Sequence, residues 1–298
     1  MTEERPCLVC GNDRFTQLFI SKDHLVSGET FAIRKCDACG FAFTADPPAE
    51  GEIGRYYLSE DYISHSDKKQ NLTEYFYHLA RNFMLRRKHR LVSEVTRKDS
   101  GTLLDIGSGT GYFASFMQMK GWKVTGIELN EQARNYSVTG LGITAVPPSE
   151  IINIPDKSTD CITFWHVIEH LYDPGMWMNE VRRILKDDGS CIIALPNLNS
   201  ADAGWFGDKW AALDVPRHLW HFSPDTLIRF IEKCGFKCAK TRSLPLDIFY
   251  ISALSYKNRG GRLSLVRGIL TGSFLTAMSL FRKNSASSLI YVLSKQGS

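Results

Sequence analysis

The sequence has no long apolar run and no concentration of charge of one sign. No stretch reaches the ~18 uninterrupted apolar residues of a membrane-spanning helix. Its 36 Lys and Arg against 32 Asp and Glu leave a net charge of +4 over 298 residues. That excess is too small, and no Lys/Arg run is concentrated enough, to imply a nucleic-acid groove. The start, Met1-Thr-Glu-Glu-Arg-Pro-Cys7, is polar and acidic and lacks the apolar core of a secretory leader. The expectation is a cytoplasmic protein with no transmembrane segment and no nucleic-acid partner. In that reducing setting its eight cysteines are expected as metal ligands or free thiols, not as disulfides.

Four of those cysteines form a pattern: Cys7-Leu-Val-Cys10-Gly11 and Cys36-Asp-Ala-Cys39-Gly40. Each tight turn aims two thiolates at one centre, and the glycine permits the positive φ that the turn needs. Four sulfurs make a closed tetrahedral site, which suits structural zinc and leaves no open position for chemistry. Phe15–Ile20 and Thr30–Arg34 read as short strands between the knuckles. Residues 1–48 are therefore expected as a zinc ribbon held by Cys7, Cys10, Cys36 and Cys39, too small to fold well without its metal. Cys161, Cys191, Cys234 and Cys238 are scattered and read as packing residues.

After the breaker Asp46-Pro47-Pro48, residues 49–98 read as a helical linker or cofactor lid. It holds Tyr56, Tyr57 and Tyr62, then a long helix from Thr73 to about Arg97. From residue 99 onward strands and helices alternate. Leu103–Ile106, Lys123–Glu128, Gly142–Val146, Cys161–His166 and Ser190–Leu195 read as strands. Tyr112–Lys120, Glu131–Ser137 and Pro174–Leu185 read as helices, the last stopped by Asp187-Asp188-Gly189. Apolar strands alternating with helices imply an α/β fold with a mostly parallel sheet covered on both faces. In such sheets ligands sit at the carboxyl ends of strands, at the topological switch point.

The most informative stretch lies at the end of the first of these strands: Asp105-Ile106-Gly107-Ser108-Gly109-Thr110-Gly111-Tyr112-Phe113. A glycine-rich turn opening a helix offers free amides and close backbone approach to an adenosine-containing cofactor. The sequence lacks the third glycine of G-x-G-x-x-G, since Tyr112 stands there, so a dinucleotide fingerprint is excluded. A carboxylate at Asp105 disfavours a pyrophosphate and favours a ligand carrying positive charge. S-adenosylmethionine (SAM) carries two such charges, the sulfonium and the α-ammonium. Glu128, about twenty residues on at the end of the next strand, can accept both ribose hydroxyls.

D-x-G-x-G-x-G in this context resembles the SAM-binding motif of class I methyltransferases. The resemblance covers roughly residues 96–245 and the last strand, Ser288–Ser294. It implies a Rossmann-like α/β fold, a mostly parallel seven-stranded sheet with one antiparallel strand. It also implies cofactor contacts from Asp105, Gly107, Ser108, Gly109, Gly111, Tyr112, Phe113 and Glu128. Where relatives place an aspartate against adenine this chain has Pro148, which leaves Ser149 or backbone for that role.

The segment Trp165-His166-Val167-Ile168-Glu169-His170 resembles its counterpart in ubiquinone-biosynthesis O-methyltransferases. There an E-x-x-E-H set is associated with a divalent cation. His166 replaces the first Glu, so a divalent cation near Glu169 and His170 competes with a structural role for the pair. The long piece from Pro196 to Phe222 carries Trp205, Trp210, Arg217, His218, Trp220 and His221, residues that can wall a pocket, hold an anion or take a proton. His166 and His218 are the candidate catalytic bases, His218 being preferred to His221 as the pocket residue. The insert at about 245–287 holds an apolar run flanked by arginines. It reads as helices packed over the substrate entrance, with weak peripheral membrane contact as the lesser alternative.

The expected function is SAM-dependent methyl transfer to a small molecule, a sugar or other polar metabolite, at oxygen or carbon. Competing readings are a protein or RNA methyltransferase, or a SAM-binding scaffold without catalysis, with the ribbon docking a partner.

Overall fold

Short half-buried strands build the N-terminal part, and unbroken apolar runs build the later strands. The computed structural model describes residues 6–57, 72–244, 246–279 and 284–297, except the side chains of 72–78 and 279. Tyr62, with the rest of 58–71 in the expected lid, lies outside the described residues.

The strands β1 (Phe15–Lys22), β2 (Thr30–Cys36) and β3 (Ala42–Thr44) pair antiparallel, Phe15 opposite Cys36 and Ile33 opposite Thr44. Helix α1 (Leu72–Thr96) follows. Then come β4 (Thr102–Ile106), α2 (Tyr112–Met119), β5 (Lys123–Ile127), α3 (Glu131–Leu141), β6 (Thr144–Val146) and β7 (Thr159–Trp165). The chain continues through α4 (Pro174–Ile184), β8 (Leu185–Pro196), α5 (Ala201–Phe206), β9 (Trp220–His221), α6 (Pro224–Lys233) and β10 (Phe236–Ser243). It ends with α7 (Asp247–Asn258), α8 (Ser264–Ser279) and β11 (Ser288–Lys295).

Seven strands form one sheet in the order β10-β11-β8-β7-β4-β5-β6. It is mostly parallel and includes an antiparallel pairing, as the resemblance implied. Leu103 of β4 lies beside Val124 of β5 and Cys161 of β7, so the strand order reverses at β4. The crevice at such a reversal opens at the strand's carboxyl end, where Asp105 stands.

By packing, the chain divides into two compact units. One takes in the described residues of 64–165, 175–193 and 292–298. Its core holds Leu103, Ile106, Val124, Ile127, Ile162 and Phe164, all buried. The other takes in those of 1–63, 166–174 and 194–291. Here Ile33 packs with Phe206, Trp210, Leu213, Val215 and Ile251.

Two features depart from the sequence expectation. The segment Leu185–Gly189 has turn composition, yet β8 begins at Leu185 and runs through it. Its charges are paired on alternate sides: Lys186 with Asp160 at 2.9 Å and Asp187 with Lys157 at 2.8 Å. The piece expected as a loop to Phe222 contains β9, which adds a fourth strand to the N-terminal sheet. Ala42 lies opposite His221 and Phe43 opposite Trp220. Phe41 secures the junction, with its ring centroid 5.9 Å from Trp220 and 5.0 Å from Phe222.

Candidate functional site

The glycine turn is tied to β5 by its own backbone. The Gly107 and Ser108 amides both donate to the Ile127 carbonyl, at 2.8 and 3.0 Å. Gly107, Gly109 and Gly111 take φ of 70°, 55° and 81°, conformations that a side chain would strain. A Cβ on Gly111 would lie 2.7 Å from Ser137 Oγ, whereas one on Gly109 meets nothing within 4 Å. The turn is thus packed from behind by α3 and open over its middle glycine.

Two carboxylates flank it. Asp105 is 2% exposed and accepts the Thr163 hydroxyl at 2.6 Å. Burial pushes its carboxyl up to about 6, against the pull of Thr163 and Lys88. Glu128 accepts the Gly109 amide through Oε2 and the Asn130 amide through Oε1, both at 2.7 Å. Ser108 Oγ is buried without a hydrogen-bond partner among the described residues. Phe113 is buried edge-on to Trp165 at 5.6 Å, and Lys88 Nζ lies 4.2 Å from the Trp165 ring. Tyr112 carries the Arg81 guanidinium over its ring at 4.1 Å. Pro148 starts a short 3-10 turn, Pro148–Asn153, with its Ile151 buried. A cradle that a Cβ would fill, set between two acids, fits a cofactor with a ribose and cationic groups.

In the other unit, the residues just after β7 gather with the Pro216–Phe222 segment. His166 takes φ of 59°, and its ring lies between Glu169 (Nδ1 to Oε1, 3.5 Å) and Asp247 of α7 (Nε2 to Oδ2, 3.2 Å). Burial pushes this imidazole down, but Asp247 and Glu169 outweigh it and hold it up to about 10. Glu169 is 1% exposed and neither oxygen has a hydrogen-bond donor among the described residues. One candidate ligand atom from each of Glu169, His170 and His218 lies within 4.8 Å of the other two. His170 Nδ1 is 3.0 Å from the Arg217 carbonyl and His218 Nδ1 is 2.9 Å from the Ala212 carbonyl. A nitrogen facing a carbonyl must carry its hydrogen, so in the neutral form of each ring the lone pair is on Nε2, which in His218 also lies 3.9 Å from Asp214 Oδ2. A buried carboxylate with two imidazole nitrogens close to it, and His166 3.5 Å away, suits a cation or a proton.

His221 is held elsewhere, its Nε2 3.0 Å from the Thr44 hydroxyl in β3. Arg217 is 2% exposed and spent on Asp23, Asp214 and the Tyr56 carbonyl, at 2.9, 2.7 and 2.8 Å, not presented to an anion.

The four knuckle cysteines also converge, with all Sγ atoms within 4.8 Å of one another. Cys7 and Cys39 sulfurs are 3.6 Å apart, as are those of Cys10 and Cys36. A tetrahedron with 2.3 Å metal–sulfur bonds has edges of about 3.8 Å, so the donor set fits zinc. Gly11 and Gly40, with φ of 78° and 76°, close the knuckles by donating to the Cys7 and Cys36 carbonyls.

A methyltransferase domain family matches residues 76–241. The chain belongs to that family. The class I SAM-dependent methyltransferase resemblance seen at the glycine turn agrees with this match. The matched span includes Asp105, Glu128, Glu169 and His218, and leaves out the cysteine knuckles, α7 and α8. A malonyl-[acyl-carrier protein] O-methyltransferase of Serratia marcescens is 29% identical over 136 residues, covering 43% of this chain and 50% of the relative. A ubiquinone biosynthesis O-methyltransferase of Caulobacter vibrioides is 31% identical over 143 residues, covering 44% and 57%. The chain spans about half the length of these relatives. Among solved structures, a Burkholderia thailandensis 1,6-didemethyltoxoflavin-N1-methyltransferase is similar at 16% identity and a TM-score of 0.50, covering 93% of this chain and 100% of that one. That likeness is one of fold alone.

Several residues of these sites escape a sequence reading. Thr163 had a signal, a polar residue inside the apolar strand Cys161–Phe164. Asp247 and Asp23 had none, because their partners His166 and Arg217 are distant in sequence.

Proposed function

We propose that this methyltransferase moves the methyl group of SAM to an oxygen or carbon of a small polar metabolite such as a sugar. The observation behind the cofactor half is the pair of carboxylates, Asp105 and Glu128, around a glycine turn open over Gly109. SAM, when bound, supplies a methyl already activated by the sulfonium charge. Asp105 offers that cofactor negative charge, and Glu128 offers two oxygens to its ribose hydroxyls. Holding donor and acceptor in one geometry then supplies most of the acceleration.

A hydroxyl acceptor must also lose a proton, which calls for a base. His218, donating through Nδ1 to Ala212, keeps Nε2 as a proton acceptor. His166 has both ring nitrogens turned to carboxylates, Asp247 and Glu169, so in this reading it orients Glu169 and does not act as the base. Glu169, His170 and His218 are equally a donor set for a divalent cation, which would act as a Lewis acid. Titration of wild type and Glu169→Gln with Mg2+, Mn2+ and Zn2+ separates the two roles of His218. Residues 1–48 are in this reading a zinc ribbon, 49–98 a linker or lid, and 99–298 the catalytic domain.

Incubation with labelled SAM and a metabolite extract tests the proposal. Label is expected in the small-molecule fraction, and lost in His218→Asn while calorimetric SAM binding persists. Label in protein or RNA instead overturns the substrate class. SAM binding without label anywhere overturns methyl transfer in favour of a scaffold. Tight NAD binding with none for SAM overturns both halves.

A further inference from the structure

Helix α8 is packed the wrong way round for water. Its inner face is small: Gly268 and Gly272 are buried against α7, with Leu275 beside them. The approach is close, since a Cβ on Gly268 would lie 2.5 Å from Ala253 Cα and one on Gly272 2.8 Å from Phe249 Cδ1. The large apolar side chains point the other way. Leu265, Val266, Ile269, Leu270 and Phe274 are 65%, 52%, 48%, 67% and 55% exposed. Their three- and four-residue spacing makes one continuous stripe. Trp205 of α5, itself 49% exposed, extends the stripe by meeting the Phe274 ring edge-on at 6.4 Å. Scattered exposed leucines need no explanation, but a contiguous stripe of this kind marks a contact surface.

Charge identifies the partner. From Ile248 to Ser298 the sequence contains no Asp or Glu, although the chain has 32 of them. Lys257, Arg259, Arg262 and Arg267 are all exposed around the start of α8. Arg259 donates to the Trp205 carbonyl at 2.8 Å, which places a cation at the edge of the apolar stripe. A second copy of this face would bring like charges together. An anionic bilayer satisfies both the apolar side chains and the cations that border them. Among the described residues no helix is long and apolar enough to cross a membrane, and α8 spans 16 of them.

We propose that the α7–α8 hairpin docks on an anionic bilayer surface, with the Leu270–Phe274 face among the acyl chains and Arg262 and Arg267 at the phosphates. This goes beyond the methyl-transfer reading and does not rest on it.

Flotation of the full-length protein with phosphatidylcholine vesicles, with and without phosphatidylglycerol, tests the docking. Wild type is expected to float only with the anionic vesicles. Partitioning should fall roughly tenfold or more in Arg262→Gln/Arg267→Gln, because each basic residue near an anionic surface contributes severalfold. It should be lost in Leu270→Glu/Phe274→Glu. All four side chains are exposed, so both variants should melt at the wild-type temperature. Three results overturn the proposal: no flotation of wild type with anionic vesicles, unchanged flotation of Leu270→Glu/Phe274→Glu, or a concentration-dependent wild-type dimer that this variant abolishes.

Discussion

Glu128 accepts the Gly109 amide hydrogen at 2.7 Å, so the carboxylate that closes β5 also holds the middle of the glycine turn. Its other oxygen holds the amide of Asn130, the cap of α3, so one side chain ties the glycine turn to the start of α3. Replacing Glu128 by Gln removes the charge from these bonds, and charged hydrogen bonds contribute about 1.5–3 kcal/mol each. The SAM dissociation constant should rise roughly tenfold to a hundredfold by that figure. Isothermal titration checks this, and wild-type affinity in Glu128→Gln would remove Glu128 from the ribose site.

If Asp105 faces the cofactor as proposed, SAM binding should be sensitive to pH. Its carboxyl sits at about 6 because it is buried, above the ordinary carboxylate range. Above pH 6 it is ionised and attracts a cationic ligand; below, it is neutral. Affinity for SAM should be level above about pH 7 and fall by up to about tenfold per pH unit below 6. Asp105→Asn should bind more weakly with a flat profile. The stability sign is opposite: a raised carboxyl pKa favours the fold at low pH and is lost as pH rises through 6. Asp105→Asn should therefore melt higher than wild type at pH 8. A wild-type binding curve that stays flat down to pH 5 contradicts this.

The cysteine centre should hold one zinc ion. Elemental analysis of the purified chain is expected to show it, and strong chelators should lower the melting temperature, since binding free energy at such sites is folding free energy. Cys36→Ser should lose the metal and much of the order of β1–β3, while leaving SAM affinity within a few-fold. A protein that is metal-free and unaffected by chelators would refute the zinc ribbon.

Asp23 and Arg217 form a buried pair, 0% and 2% exposed in their side chains, 2.9 Å apart. Asp23 also accepts the Leu25, Val26 and Ser27 amides. Burial pushes its carboxyl up, but Arg217 and the Ser27 amide outweigh it and hold it at about 2. A depressed carboxyl pKa contributes stability that is complete above about 4 and lost as pH falls toward 2, here about 2–3 kcal/mol. Asp23→Asn should destabilise by about 3–5 kcal/mol at pH 7, because it strips a partner from a buried guanidinium. Denaturant unfolding measures both effects, and a variant within 1 kcal/mol of wild type would show the pair to be dispensable.

Legibility in the sequence followed distance along the chain. The glycine turn, the two knuckles and the alternation of strands and helices are local patterns, each set by a few neighbouring residues. The turn composition of Leu185–Gly189 misled because side-chain pairs with Lys157 and Asp160 keep that segment extended. Arg217 had the look of an anion-binding residue, and Asp23 had already claimed it. The neighbourhood of His218 with Glu169 and His170 could not be read at all, since no local rule relates the turn after β7 to the segment before β9.

By itself the sequence determined the family, the cofactor class and the cysteine donor set, because backbone sterics and ligand spacing act within a turn or two of chain. Only the tertiary structure decided which histidine joins Glu169, which arginine is consumed, and which way α8 faces. Those outcomes depend on long-range packing: close approach at Gly268 and Gly272 buries the small face of α8 and leaves its large apolar side chains outside. Composition could show that the insert is apolar and basic. Which side of α8 it exposes was decided by the fold.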